Sequence, residues 1–241
     1  MKKSKSIAVI LSALMLAGCF TGCKDKNKSS DSSSSSVVKS DSSSAVPADD
    51  VKLDDGYTLS EIVIPDSDDA ESGLGNYRIS NNNVKIYYED GTVPVELLET
   101  VEKYFTAIAE KDFDTYKSLV LPTYFDLYEN FLKNNETYGY DMKKSFDIQC
   151  ENCTTTVGGD FKVTRIYVEA SEEDLVDQYL ESIGETIGDD FTTKMKNSAD
   201  SFENVVFFVM VDAEGKEDEV MLADEAKMFF GVIDGKYYVI A

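Results

Sequence analysis

The chain contains no histidine and no tryptophan, and it has few cysteines and prolines, four of each in 241 residues. The absence of histidine excludes Ser-His-Asp and Cys-His catalysis, zinc held by histidine, and the side chain that most often acts as a general base near neutral pH. Carboxylates, tyrosines and cysteines are the side chains that remain for such chemistry.

Positive charge is also scarce. The chain has 23 basic residues against 46 acidic ones, which gives a formal net charge of −23. A surface this acidic repels nucleic acid and anionic lipid headgroups, so we expect neither as a partner. Solubility in a cation-rich exterior explains the charge, and specific cation binding is the alternative.

The N-terminus has the pattern of an export signal. An apolar run over residues 7–17 follows three lysines and is too short to cross a hydrocarbon core of ~30 Å. It ends in Leu-Ala-Gly-Cys at residues 16–19, which resembles the bacterial lipobox. The resemblance implies a signal peptide over residues 1–18, a lipid on Cys19, and a place on the extracytoplasmic face of the cell membrane. Cys23 is a weaker candidate for the lipid, and an ordinary secretory signal is the alternative.

A serine-rich segment follows. Eleven of the sixteen residues from Ser29 to Ser44 are serine. Such a segment buries too little apolar surface to offset the entropy lost on ordering. The sequence therefore predicts a disordered tether over residues 19–55 and a lead-in over residues 56–93. Within the lead-in, a short strand at 84–88 is expected to pair with residues 77–79.

The next part of the chain is helical by pattern. Apolar residues recur every three or four positions from Pro94 to residue 110, which predicts an amphipathic helix. Glu102 is placed on the opposite side of that helix, where alanine should be tolerated. Two shorter helices are expected on either side of Pro122.

After residue 143 the pattern alternates. Phe146, Ile148 and Cys150 alternate with polar residues, which predicts a half-buried strand. Further strands are expected at 161–170, 205–211, 217–233 and 236–240, with a helix at 171–183 and a hairpin turn at Asp234-Gly235. Helices followed by antiparallel strands predict an α+β domain over residues 94–241.

Two segments carry a resemblance to a known superfamily. A helix continuing into Ala-Ile-Ala-Glu-Lys-Asp-Phe-Asp at 107–114, and a sheet ending in Asp-Gly-Lys-Tyr-Tyr-Val-Ile at 234–240, resemble the nuclear transport factor 2-like proteins. The resemblance implies a cystatin-like roll, in which N-terminal helices pack in a curved antiparallel sheet. The helix at 171–183 would be an insertion between strands. The superfamily includes isomerases, dehydratases and non-catalytic binding domains, so the fold does not decide the function.

The resemblance also suggests where a ligand would bind. In the isomerases and dehydratases, an acid or histidine faces the cavity beside tyrosines. The residues that would line such a cavity here are Tyr116, Tyr124, Arg165, Tyr167 and Asp147. Asp147 would lie on the strand face opposite Phe146, and the aromatic residues also have the spacing of core positions.

Cys150 and Cys153 form a CxxC motif. Because the pair is expected to follow a strand, it lacks the helix N-terminus that lowers the thiol pKa in redox sites, and no further zinc ligands are present. In an oxidising exterior the sequence favours a local disulfide across a turn, with free thiols as the alternative.

These observations favour a non-catalytic binding or interaction domain held at the membrane by a lipid. The expected partner is a small molecule in the roll or a cell-envelope protein at the open face of the sheet, and no cofactor or metal is predicted. The alternative is a cavity enzyme of isomerase or hydrolase type that uses Asp147 or another buried carboxylate.

Overall fold

The structure is a computed structural model that describes residues 50–53, 55–66, 68, 72–89, 91–171, 175–188 and 190–241. The predicted signal peptide, the lipidation site at Cys19 and almost all of the predicted tether lie outside the described residues. No helix among the described residues is long and apolar enough to cross a membrane.

The described residues contain six α-helices, a short 3-10 helix (Ser72–Leu74) and eight strands. The helices are α1 (Val95–Glu110), α2 (Phe113–Leu119), α3 (Pro122–Asn134), α4 (Met142–Val157), α5 (Val176–Ile187) and α6 (Phe191–Lys196). The strands are β1 (Val51–Lys52), β2 (Thr58–Leu59), β3 (Tyr77–Ile79), β4 (Lys85–Tyr87), β5 (Phe161–Ala170), β6 (Ser201–Ala213), β7 (Val220–Ile233) and β8 (Lys236–Ile240). The α+β class predicted from the sequence is confirmed.

The main sheet has six strands in the order β3-β4-β5-β6-β7-β8. Every neighbouring pair is antiparallel except β4 and β5, which run parallel because the helices α1 to α4 connect them. The prediction of a purely antiparallel sheet is therefore wrong for this pair. The hairpin predicted in the lead-in is confirmed as β3 and β4, and it extends the same sheet.

The segment assigned to the tether reaches too far toward the domain. Residues Val51 and Lys52 form β1, which pairs antiparallel with β2 in a separate two-stranded sheet. Asp55 lies in the turn between these strands, and its carboxylate accepts a hydrogen bond from the backbone N–H of Tyr57 at 3.0 Å. Part of the region predicted to be disordered is therefore ordered against the domain.

Helix α1 is the central helix of the fold, as its apolar pattern predicts. Pro94 precedes its first turn, and Lys111 ends it in the left-handed conformation with φ of 59°. Its apolar face is buried, and the ring of Phe105 contacts that of Phe207 on β6 with centroids 5.2 Å apart. This contact packs the helix onto the sheet.

Helix α4 corrects the strand predicted at residues 146–150. The side chain of Asp141 caps the helix by accepting from the backbone N–H of Lys144 at 2.9 Å, and Gly158 ends it with φ of 89°. Its buried residues are spaced three or four apart, as on one helix face: Met142, Phe146, Cys150, Cys153 and Val157. The short alternation from Phe146 to Cys150 is consistent with either structure, and the capping residues decide for the helix.

The C-terminal half agrees with the sequence-based prediction. Helix α5 lies between β5 and β6, in the part of the chain where a helix was predicted at 171–183, and α6 follows it. Asp234 and Gly235 form the expected hairpin turn, with φ of 51° and 78°. Two positive φ angles in succession fit the right-handed twist of the strands that the turn connects.

Candidate functional site

Two of the predicted cavity residues belong to the core. Tyr116 and Tyr124 are 4% and 3% exposed. The ring of Tyr116 lies 4.6 Å from that of Phe146, and Tyr124 packs edge-on against Phe191 at 6.2 Å. Side chains therefore fill the interior at these positions, where the resemblance implies a ligand.

The other two predicted residues lie on a different face. Side chains alternate across a strand, so Arg165 and Tyr167 lie on the face of β5 opposite the fully buried Ile166. Tyr167 stacks on Tyr87 with centroids 4.4 Å apart, and Arg165 forms an ion pair with Glu219. The structure thus does not bring the four predicted residues together.

Asp147 does not have the position of a buried base. It lies on α4, its side chain is 39% exposed, and it forms an ion pair with Lys143 one turn earlier. The strand face to which the sequence assigned it does not exist, because residues 142–157 are helical. Asp147 is therefore a surface residue of a solvated helix.

Cys150 and Cys153 lie one turn apart on α4, both are buried, and no disulfide joins them. The strand and turn on which the predicted disulfide depended are absent. Burial, reinforced by the nearby charge of Asp147, raises the pKa of Cys150 to about 11, so little of it is thiolate at neutral pH. Cys150 therefore lacks the lowered thiol pKa of a redox site.

A buried carboxylate lies where the sequence predicted an exposed one. Glu102 of α1 has no exposed surface. It accepts three hydrogen bonds: from the hydroxyl of Tyr57 at 2.6 Å, from the hydroxyl of Ser80 at 2.9 Å and from the amide of Asn82 at 2.9 Å. The expectation that Glu102 tolerates alanine is therefore wrong, because three lead-in residues depend on it.

Burial raises the pKa of Glu102, and the hydrogen bonds from Tyr57, Asn82 and Ser80 oppose that rise. A ligand cannot reach a carboxylate with no exposed surface. Glu102 consequently stabilises the fold and is excluded as a contact for substrate.

A groove lies next to this cluster, where residues 52, 53 and 55, α1, the end of α2 and β8 meet. Its volume is about 640 Å³. We name it the Glu99 groove, after the least exposed carboxyl group that lines it. Its lining residues are Lys52, Leu53, Asp55, Glu96, Glu99, Thr100, Lys103, Ser118, Leu119, Lys236, Tyr237 and Tyr238.

Three charged residues form the polar centre of the Glu99 groove. Glu99 and Lys103 are one turn apart on α1 and form an ion pair, and Nζ of Lys103 lies 2.8 Å from Oδ2 of Asp55. The carboxyl groups of Asp55 and Glu99 are also hydrogen-bonded to each other. A single lysine thus bridges two carboxyl groups that come from different parts of the chain.

The two carboxyl groups have opposite pKa shifts. Burial and the hydrogen bond to Asp55 raise the pKa of Glu99 to about 7. The hydrogen bond with Glu99, followed by that with Lys103, holds the pKa of Asp55 well below its usual value. Below about pH 7 the pair therefore holds one proton, with Glu99 as the protonated partner, and above that pH both groups are ionised.

Other groups position the walls of the groove. The hydroxyl of Thr100 donates to the carbonyl of Glu96 at 2.9 Å and lies 3.4 Å from the carbonyl oxygen of Tyr237, which brings α1 close to β8. The hydroxyl of Tyr237 donates to Glu203 at 3.4 Å. Among the described residues, no three acidic or cysteine side chains gather in a way that could hold a metal ion.

Part of this site was open to prediction. Glu99 and Lys103 have the four-residue spacing of a helical ion pair. Asp55 carried no such signal, since it lies in the segment assigned to the tether. Only the folded chain brings it to α1.

Comparison with protein-family models found no match. Neither a curated protein nor a solved structure matches the chain. The function is therefore inferred from the sequence and the geometry of this chain.

Proposed function

We propose that the chain is a lipoprotein anchored through Cys19 on the extracytoplasmic face of the cell membrane. Its α+β domain would be a non-catalytic module that binds a small polar molecule in the Glu99 groove. The anchor is supported by the basic start, the apolar run and the Leu-Ala-Gly-Cys pattern at residues 16–19. The observation that supports the binding function is the Glu99 groove.

The groove has the properties of a small-molecule site. Its volume of about 640 Å³ lies within the range of about 300–1,000 Å³ usual for such sites. Charged groups of both signs converge there beside half-buried apolar and aromatic side chains: Leu53, Leu119, Tyr237 and Tyr238. The filled interior at Tyr116 and Tyr124 favours this outer groove over a ligand inside the roll.

We also infer that α1 and the sheet form a variant of the cystatin-like roll. The long helix packed on the sheet through Phe105 and Phe207 supports this, as does the helical insertion between β5 and β6. The strands β3 and β4 would be an addition to the roll. A crystal structure with a flat sheet across β5, β6 and β7 would contradict this proposal.

Ligand capture tests the binding function. The chain from residue 20 onward, which retains every described element, is incubated with cell extract, re-isolated, and its bound small molecules are identified by mass spectrometry. We expect a molecule that the Ser118→Trp variant fails to retain, because the indole would fill the groove. The control is Asn130→Trp, at an exposed position on α3.

Capture by neither protein, or equal capture by the wild type and Ser118→Trp, would contradict a ligand in the groove. Co-purification of an envelope protein with both variants would favour the alternative partner at the open face of the sheet.

The anchor is tested separately. Cys19→Ser should leave the chain without lipid, and intact-mass analysis of the membrane fraction measures this. A lipid found on Cys23, or a cleaved chain with no lipid, would contradict the assignment.

A second candidate function is supported by the opposite pKa shifts of Glu99 and Asp55. Two carboxyl groups whose pKa values are pushed apart are suited to general acid and base roles. Glu99, with a pKa of about 7, would take the place of Asp147 as the catalytic carboxyl group. Conversion of a captured molecule by the wild type, and its loss in Glu99→Gln, would establish an enzyme.

A further inference from the structure

The Glu99 groove differs in charge from the rest of the chain. The chain as a whole has twice as many acidic as basic residues, 46 against 23. The groove is lined by three lysines and three carboxyl groups, the latter from Asp55, Glu96 and Glu99. Lysines are therefore concentrated at this place on an acidic molecule.

Two of these lysines have no carboxylate partner among the described residues. Lys103 is held by Asp55 and Glu99, but Lys52 on β1 and Lys236 on β8 are exposed and form no ion pair there. They approach the groove from two different walls. Lysine side chains are long and flexible, so two ammonium groups that start from different walls can contact the same negatively charged group.

We propose that the Glu99 groove binds a small organic anion with a carboxylate or phosphate group and a compact apolar body; this rests on the proposed binding function. The charged group of the ligand lies between the ammonium groups of Lys52 and Lys236. Its apolar body lies against Leu53, Leu119 and the ring of Tyr238, all of which are half-buried in the groove.

The groove has a built-in response to pH. Glu99 is faced by Asp55 and Tyr57 from the chain before α1, by Lys103 and Glu96 on its own helix, and by Tyr237 on β8. The pKa of Glu99 is raised to about 7 by burial and by Asp55. Its ionisation adds a negative charge to the groove, so affinity for an anion falls as the pH rises from 6 to 8.

The test uses four probes of similar shape and different charge: benzoate, phenyl phosphate, benzylamine and benzyl alcohol. Each is titrated into the chain from residue 20 onward, and amide chemical shifts are followed by NMR. We expect shifts at Leu53, Thr100 and Tyr238 with benzoate or phenyl phosphate, and none there with benzylamine. The tighter of the two anions identifies the class of the charged group.

Variants test the role of the lysines. Lys52→Met combined with Lys236→Met should weaken anion binding by about tenfold or more, the effect of losing charge-assisted contacts. The matched control combines Lys144→Met with Lys162→Met, two exposed lysines elsewhere. Glu99→Gln should remove the pH dependence of benzoate binding between pH 6 and 8, where benzoate itself does not titrate.

Failure of this inference and failure of the binding function give different results. Preferential binding of benzylamine or benzyl alcohol at the same amides would overturn the proposal that the ligand is an anion, but the groove would still be a binding site. The absence of shifts with both benzoate and phenyl phosphate would also overturn that proposal. If ligand capture returns nothing in addition, the binding function is overturned as well.

Discussion

The hydroxyl of Tyr57 donates a 2.6 Å hydrogen bond to Oε2 of Glu102, across 45 residues of sequence. Ser80 and Asn82 donate to the other carboxylate oxygen, each at 2.9 Å. All three donors belong to the lead-in, and the acceptor is in the middle of α1. This cluster therefore joins the lead-in, with its two strands of the main sheet, to the central helix.

Glu102→Ala should destabilise the protein by about 2 kcal/mol or more, because a buried donor left without an acceptor costs about 1–3 kcal/mol and two of the three donors, Tyr57 and Ser80, are buried. Tyr57→Phe, which removes one donor, should cost about 1–2 kcal/mol. Urea unfolding followed by circular dichroism measures both. Glu110→Ala, at the exposed end of α1, is the control and should change stability by less than about 0.5 kcal/mol. Equal stabilities for Glu102→Ala and the control would contradict a structural role for the cluster.

Phe105→Ala should destabilise the protein by about 3–5 kcal/mol, the usual cost of truncating a large aromatic residue in a core. Phe105 is 4% exposed and contacts Phe207 on β6. A double-mutant cycle with Phe207→Ala should show coupling between the two positions, since they share a contact. Additive effects would mean that α1 is not packed on β6 through this pair.

The fold was predictable where local pattern and tertiary packing agree. The apolar spacing of α1, the unbroken apolar run in β6 and the Asp234-Gly235 turn each specify their structure within a few residues. Helix α4 was assigned wrongly because Phe146, Ile148 and Cys150 alternate over a window too short to separate the two periods. Its capping residue, Asp141, lay outside that window.

The site was less predictable because its parts are distant in sequence. Ser80 and Asn82 lie 22 and 20 residues from Glu102, and nothing in the pattern of α1 marks that glutamate as buried. Glu102 was predicted to be exposed because it lies on the side of α1 opposite the apolar face. The lead-in covers the other side of the helix at this position, and this depends on tertiary contacts.

The stability of the protein should depend on pH through Glu99. Because its pKa is raised from an ordinary value of 4.5 to about 7, the folded state holds the proton more tightly than the unfolded state. The stability that this contributes is complete below pH 4.5 and is lost as the pH rises through about 7. Asp55 has the opposite sign: its lowered pKa contributes stability above its ordinary 3.8, which is lost as the pH falls below that value.

The measurement is the free energy of unfolding of the wild type and of Glu99→Gln at a series of pH values. The wild type should lose stability relative to the variant between pH 4.5 and 8. Glu102, whose pKa is also raised, is present in both proteins and its contribution cancels in the difference. A difference that does not change with pH would contradict the shifted pKa of Glu99.

The thiols of Cys150 and Cys153 should resist labelling in the folded protein. Both are buried, and the raised pKa of Cys150 leaves little thiolate to react. We expect the thiols to react with a disulfide reagent only after denaturant unfolds the chain. The absorbance of the released product measures the reaction. If the two cysteines do not react even in denaturant, and react only after a reductant is added, the disulfide predicted from the sequence is present instead.

The most direct test of the account is to locate the captured ligand on the protein by amide hydrogen exchange. We expect slower exchange at the residues that line the Glu99 groove: Lys52, Leu53, Asp55, Glu96, Glu99, Thr100, Lys103, Ser118, Leu119, Lys236, Tyr237 and Tyr238. Ser118→Trp should abolish this protection and Asn130→Trp should preserve it. Protection centred on the outer sheet face at Tyr77, Tyr167 and Phe208, with none in the groove, would contradict the account.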